Sequence, residues 1–425
     1  MARKVKTVLR EKCEQLLHFS RAVSDPFEVV RQRQVRMRAA LITLILTSAV
    51  FTAAHVRAQS RVDVVPSVSV GSLYDDNLFA QVQGSGGQML QVRPGLEATV
   101  ESPRLKLGSL WTFDMQHSNH ADLNTFDARR HADLDLAYRS TSATTLGFAA
   151  RYDRTETPGE INLLSGVLGD RRQAYRWEAY PNFSHRFGPR TSMTGSYDWT
   201  DESLLDNGTG RMHVVRTGLS QDYTTRTTFT ASYMGRRFVD ETDTNSSHAI
   251  LGGWDYELAP GTRVTLQGGP RVSSYRGIAP EVVAGFFRDT NRLDVGVDYW
   301  HGETIVLGIQ GPVAVNSGTA RLTWPMTRTI EIGSHSAVTG IVTLDQRQVT
   351  TYRETLVSSW RPGGWYTVAA SYGVDYQQGD IRRNLFSNAN VLRHVFRVSV
   401  TVAPRLSRAI RSSDDPAARA KGVSQ

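Results

Sequence analysis

Apolar and polar residues alternate along most of this chain with a period of two, in short runs separated by compact polar turns. The stretch Gly218 to Tyr233, GLSQDYTTRTTFTASY, shows the unit: two alternating runs around a tight turn. Thr227, Phe229, Ala231 and Tyr233 share one phase, and Thr228, Thr230 and Ser232 the other. Successive side chains of a strand point to opposite faces, so each run predicts a strand with one apolar and one small polar face. Variants of the unit follow at Phe187 to Tyr197, Pro260 to Val272 and Met326 to Ile332, several with an Arg-Thr or Thr-Arg pair at the turn. No helical repeat period fits.

Taken in order, the alternation predicts a first strand with Val64, Val68, Val70 and Tyr74 in one phase, ended by Asp75-Asp76-Asn77. Tight turns are expected at Ser102-Pro103-Arg104, Ser140 to Ala143, Gly188-Pro189, Thr224-Thr225, Pro260-Gly261, Thr290-Asn291, Thr327-Arg328 and Pro362-Gly363. A last strand runs through Phe396, Val398, Val400 and Val402. Eight hairpins with one further strand at each end give about 18 strands (16–18), an even number as in bacterial membrane barrels. Tight turns alternate with longer connections, which predicts short periplasmic turns, long outer loops and both chain ends on the periplasmic side.

The aromatic residues fall in register with this scheme. Tyr138, Phe187, Tyr223, Tyr256, Trp324 and Trp360 directly precede tight turns, and Tyr152, Tyr197 or Trp199, Tyr233, Tyr299 and Tyr372 or Tyr376 come about ten residues after them, which predicts two interfacial girdles. A soluble sandwich needs apolar residues on both inner faces, whereas the second face here carries Arg, Asp, Thr, Ser and Gly. A β-solenoid would show neither girdles nor alternating loop lengths. The fold class expected is all-β: a transmembrane antiparallel β-barrel preceded by a signal peptide. Pro66, Pro94, Pro181 and Pro270 fall inside predicted strands in the outward phase, where local bulges are the expected accommodation.

Charge changes the picture only at the N-terminus. The formal net charge is +8, but residues 1–58 hold 11 Lys and Arg against 4 Asp and Glu, leaving 38 against 37 in the rest. The body is close to neutral and carries no nucleic-acid footprint. Its basic residues are Arg apart from Lys106 and Lys421, and the single cysteine, Cys13, precedes it. From Met37, MRAALITLILTSAVFTAAHVRAQS has the basic start, apolar run and small-residue end of a secretory signal peptide, with cleavage expected near Ala58–Gln59. The domain organisation expected is a basic extension 1–36 with an alternative start at Met37, a signal peptide 37–58, a barrel 59–404 and a polar, disordered tail 405–425.

The inward phase supplies the candidate pore lining: Arg129, Asp133, Asp135, Arg139, Arg151, Asp153, Asp198, Asp255, Arg271, Asp294, Asp298, Arg321 and Arg397. Such groups tune solute passage; opposite charges on neighbouring strands also simply pair in a wet lumen, and mixed sign argues against strong ion selectivity. The third outer loop, Arg154 to Arg172, holds Ile161, Leu163, Leu164, Val167 and Leu168. Apolar residues there need cover, which predicts a constriction packed into the mouth, or a lid outside it. His117 and His120 with Asp122 are too few for a metal site. No motif frames a serine nucleophile, so neither catalysis nor a cofactor is expected.

The stretch GSLYDDNLFA, Gly71 to Ala80, directly after the first strand, resembles the opening of an outer-membrane β-barrel porin family associated with exopolysaccharide gene clusters; Tyr74, Asp75, Asp76 and Asn77 carry the motif. The resemblance implies export of an exopolysaccharide through the outer membrane of a Gram-negative bacterium, with a periplasmic polysaccharide-export partner. Outer-membrane lipid and the barrel assembly machinery are the other partners expected. The chain departs from such barrels at its C-terminus, where the polar tail follows the last strand and Phe396 is the nearest aromatic. A nutrient-uptake porin, an outer-membrane enzyme and a plugged structural or adhesive barrel remain alternatives.

Overall fold

The structure, a computed structural model, describes residues 61–404 apart from 82–83, 121–122, 163–165, 169–170, 205–208, 241–242, 291 and 380–389. The expected extension, signal peptide and polar tail lie outside these residues, as do Asp122, Leu163, Leu164 and Asn291.

Eighteen antiparallel strands form one sheet closed on itself. They are β1 (Arg61–Asp75), β2 (Gly87–Glu101), β3 (Leu105–Ser118), β4 (Thr125–Arg139), β5 (Thr144–Thr155) and β6 (Ala174–Arg186). Next come β7 (Thr191–Leu204), β8 (Thr209–Asp222), β9 (Thr227–Val239), β10 (Thr244–Ala259), β11 (Thr262–Ser273) and β12 (Gly277–Thr290). The ring finishes with β13 (Leu293–Thr304), β14 (Val313–Pro325), β15 (Ile330–Val342), β16 (Gln348–Trp360), β17 (Tyr366–Gln378) and β18 (Val391–Val402). Each strand pairs with its sequence neighbours, and β1 pairs with both β2 and β18, so no edge is left unpaired. Closure satisfies the backbone groups within the ring, the condition for a sheet to cross lipid.

The period-two pattern sorts the faces as expected. On β1, Val62, Val64, Val68, Val70 and Tyr74 are exposed on the outer surface, while Leu73 and Asp75 are buried inside. Leu96, Trp111, Phe113, Leu146, Val215, Leu219, Leu266, Val297, Leu356 and Val400 continue this apolar belt round the ring. Tyr138, Phe187, Tyr223, Trp324 and Trp360 are exposed at the tight-turn end, and Tyr197, Tyr233, Tyr299 and Tyr372 at the other. On β16, Trp360 and Tyr352 lie ~27 Å apart along the strand, ~20 Å once tilted by ~40°, close to the ~25 Å apolar band of outer-membrane barrels. The ring is a transmembrane barrel.

Two expectations need correction. Several of the connections expected to be long are as short as the tight turns, for example residues 274–276, because the strands, 12–16 residues long in all, take up much of the chain between the turns. The prolines cause no bulges. The β2–β3 and β6–β7 registers are unchanged on either side of Pro94 and Pro181, where the ladder only skips a few pairs. Pro66 lies on β1 before the pairing with β18 begins at Val68, and Pro270 faces Pro280 across β11–β12. A missing donor opens a gap in the ladder; a bulge would add a residue and flip every side chain beyond it. The register shifts that do occur lie at Asp114/Gln116 and Glu257/Ala259, away from all four prolines.

Candidate functional site: the lumen and its outer mouth

All thirteen charged residues expected inside fall in the inward phase of their strands. Arg129, Asp133, Arg151 and Asp153 come together on β4 and β5 around His131, which sequence reasoning passed over. His131 is buried between two carboxylates, with Nε2 2.6 Å from Asp133 and Nδ1 2.7 Å from Asp153. The Arg151 Nε donates to Asp133 at 2.9 Å, and Arg129 approaches Asp153 at 3.8 Å. Asp135 and Arg139 stand lower on β4. Asp198 pairs with Arg216 across β7–β8. Arg271 contacts Glu281 at 3.3 Å and Glu303 at 3.2 Å, and Glu281 also accepts both guanidinium nitrogens of Arg236. Asp255 and Asp298 stand on the wall of β10 and β13, with Asp294 towards the turn. Arg321 lies against the Phe287 ring, 5.7 Å from its centroid, with Arg263 at 5.6 Å from the same ring. Arg397 is on β18, and its charge acts on Glu160.

Pairing therefore dominates this wall. Arg93–Asp114, Arg176–Glu202 and Arg353–Asp375 extend it round the ring, none of them singled out from sequence. Removing one member of such a buried pair strands the other, at a cost of ~3–5 kcal/mol. Alternation alone locates these groups on the inner face; which ones meet depends on register. Glu303 even breaks the alternation. The β12–β13 pairing stops at Val282 and His301; beyond it β13 stays paired with β14 alone, and Glu303 reaches Arg271 and Ser273.

The Tyr-Asp-Asp-Asn motif closes the ring. Tyr74 stands opposite Phe396 on the outer surface. Asp75 is fully buried and accepts from Arg393 Nε at 3.0 Å and Nη2 at 2.6 Å, and from the Asn77 amide at 3.0 Å. Asp76 accepts from the His394 amide at 2.6 Å, and the Asn77 side chain donates to Leu392 O at 3.0 Å. All four residues meet β18, so the motif is a clasp between the first and last strands.

The outer mouth is crossed from two sides. The loop after β5 carries a 3-10 turn, Pro158–Glu160, and folds inward as expected for a constriction. Val167 packs with Val306, Val313, Val315 and Ile341, and Leu168 with Ala80 and Val391. From β5 to β14 is nine steps round an 18-strand ring, so this loop reaches the opposite wall. The loop after β13 comes to meet it. Asn162 accepts from the Leu307 amide at 3.1 Å and donates to the Leu307 carbonyl at 3.4 Å, and Leu307 packs with Ile161, Ala174 and Leu204. The Leu168 amide donates to Gln377 at 2.8 Å, tying the far end of the crossing to β17. Arg276, from the β11–β12 connection, donates to the carbonyls of Val342 and Thr343, both at 2.7 Å. Glu160 anchors the near end: Thr155 donates to it at 2.8 Å and Arg129 lies 3.9 Å away. Partial burial opposes its ionisation, but Arg129, Arg397, the Thr155 hydroxyl and Arg393 outweigh that and hold its carboxyl below the usual range.

The histidines considered for metal do not converge. His117 faces outward on β3, and His120 bonds the Gly86 carbonyl at 3.1 Å.

No known protein family and no curated protein matches the sequence. Among solved structures, the chain is similar to OccK3 (OpdO) of Pseudomonas aeruginosa at 10% identity and TM-score 0.44, covering 80% of this chain and 96% of that one. It is similar to a mutant of the ferric enterobactin receptor PfeA of the same organism at 10% identity and TM-score 0.43, covering 81% of each. A loop-deleted OmpT, an outer membrane protein of Vibrio cholerae, gives 11% identity and TM-score 0.37 over 81% of this chain and 99% of that one. Similarity at this level assigns neither family nor cargo.

Proposed function

We propose that this protein is a channel in the outer membrane of a Gram-negative bacterium, held shut at its outer mouth, that passes a hydrophilic polymer, an exopolysaccharide leaving the cell. A ring of 18 strands encloses a water-wide space. Its wall is charged but internally paired, which suits a solute that slides by hydrogen bonding more than an ion selected by sign. The observation that carries the reading is the Asn162–Leu307 contact, where two loops from opposite walls meet across the mouth. A freely open pore has no use for such a brace, whereas a channel that releases long cargo on demand needs a removable one. Export through it would draw on a periplasmic polysaccharide-export partner, with the assembly machinery and outer-membrane lipid as the other contacts. We assign no catalytic step and no cofactor.

Planar-bilayer conductance tests the brace. The intact barrel should conduct weakly, and a variant with residues 159–170 replaced by a short Gly-Ser linker should conduct several-fold more. Equal conductance would refute a closed mouth. Gene deletion tests the cargo: secreted polysaccharide should fall while small-sugar uptake stays unchanged. The reverse outcome would make it an uptake porin.

A further inference from the structure

A cluster of basic donors lies above the outer tyrosine girdle on β8, β9 and β10. Arg211, His213 and Arg237 are in the outward phase, and His213 stands directly opposite Arg237. The Tyr197 hydroxyl shares a hydrogen bond with His213 Nδ1 at 2.7 Å, and the Tyr233 hydroxyl one with His248 Nδ1 at 2.8 Å. In the tautomer whose Nδ1 accepts from the tyrosine, each ring carries its proton on Nε2 and can donate there to an anion. Arg237 is exposed and meets no carboxylate among the described residues, while Arg211 shares one edge with Asp201 at 3.5 Å and remains 46% exposed.

The same elements recur elsewhere on the rim, but there they are occupied. His394 takes the Tyr372 hydroxyl and faces Asp76 at 4.0 Å, Tyr299 and His301 both turn to Asn316, and Arg130 and Arg154 share Asp127. Among the described residues, guanidinium and imidazole donors converge with one peripheral acid only on β8–β10. Arg237 lies four residues beyond Tyr233, ~14 Å along the strand and ~10 Å along the barrel axis, the height of the lipid headgroups above an interfacial girdle.

We infer that Arg211, His213, Arg237 and His248 form a binding site for the phosphate of an outer-leaflet lipid, with Tyr197 and Tyr233 setting the headgroup depth. Charge complementarity and height together select this occupant: a cluster of donors with a tyrosine floor fits phosphate oxygens above acyl chains. The site rests on the outer-membrane placement proposed above and is independent of what passes through the lumen.

The test is native mass spectrometry of the detergent-solubilised barrel titrated with bisphosphorylated lipid A and with its dephosphorylated form. The phosphorylated lipid should bind more tightly. Arg211→Ala and Arg237→Ala should each weaken it about fivefold, and the pair roughly 25-fold. Arg226→Ala, in a tight turn at the opposite rim, should change nothing, and heat-dependent gel mobility should confirm that every variant is folded. Equal binding of the dephosphorylated lipid, an equal loss with Arg226→Ala, or complete displacement of the lipid by equimolar inorganic phosphate would each overturn the site. Conductance is unaffected in any of these arms, so failure here and failure of the channel reading are separable.

Discussion

Replacing Asp75 by alanine should loosen the barrel at its closing seam. The carboxylate is fully buried and holds Arg393 through a two-nitrogen fork at 3.0 and 2.6 Å, together with the Asn77 amide at 3.0 Å. Its loss strands a mostly buried guanidinium, for which the cost is ~3–5 kcal/mol. Arg393 keeps Asp375 at 3.7 Å, which places the charge cost near the bottom of that range. The uncapped Asn77 amide adds ~1 kcal/mol, for a total of ~3–4 kcal/mol. Arg393→Ala should cost a similar amount, and the double variant less than the sum, with a coupling of ~2 kcal/mol. Urea unfolding in short-chain lipid vesicles, followed by tryptophan fluorescence, measures all three. A loss below ~1 kcal/mol for Asp75→Ala, or strict additivity of the two changes, would refute the clasp.

Glu160 gives the mouth a pH dependence. Its folded pKa lies below the ordinary 4.5, so its contribution is complete above that value and is lost as pH falls through the lower folded one. Conductance should therefore rise in that acidic window, and Glu160→Gln should abolish the acid dependence; an unchanged acid response in the variant would exclude Glu160 as its source. Gly261 has φ +74°, and a Cβ there would overlap the Asp289 carbonyl oxygen, so Gly261→Ala should cost ~2 kcal/mol or more in the same urea assay. Spin labels on cysteines placed singly at Val215 and Arg216 should divide between a lipid-soluble and an aqueous relaxant, respectively. The same relaxant reaching both positions would overturn the face assignment.

Strand number, turns and faces were legible in the sequence because each depends on local chemistry. Alternation across Thr227 to Tyr233 or Leu105 to Met115 leaves one choice of outward face, and Pro260-Gly261 fixes its hairpin unaided. The apolar residues of the third outer loop announced a need for cover, which Val167 found on the far wall and Leu168 against Ala80 and Val391. What the sequence hid was long-range. Asp75 and Arg393 are 318 residues apart, so the motif showed itself as a signature and not as a clasp. His131 reads as one more inward polar residue until the register sets Asp133 and Asp153 on either side of it. Glu303 was beyond reach because β13 parts from β12 near its end while staying on β14, so its phase alone does not say what it meets.

The clasp also bears on how the molecule is made. Asp75 is among the earliest residues of the barrel to be synthesised and Arg393 among the last, so the lock cannot turn until translation is nearly complete. A polypeptide cut short before β18 would present a carboxylate with no cation to receive it, and the nascent cylinder would stay ajar. Neutralising that carboxylate and pairing the first strand with the last are thus one event.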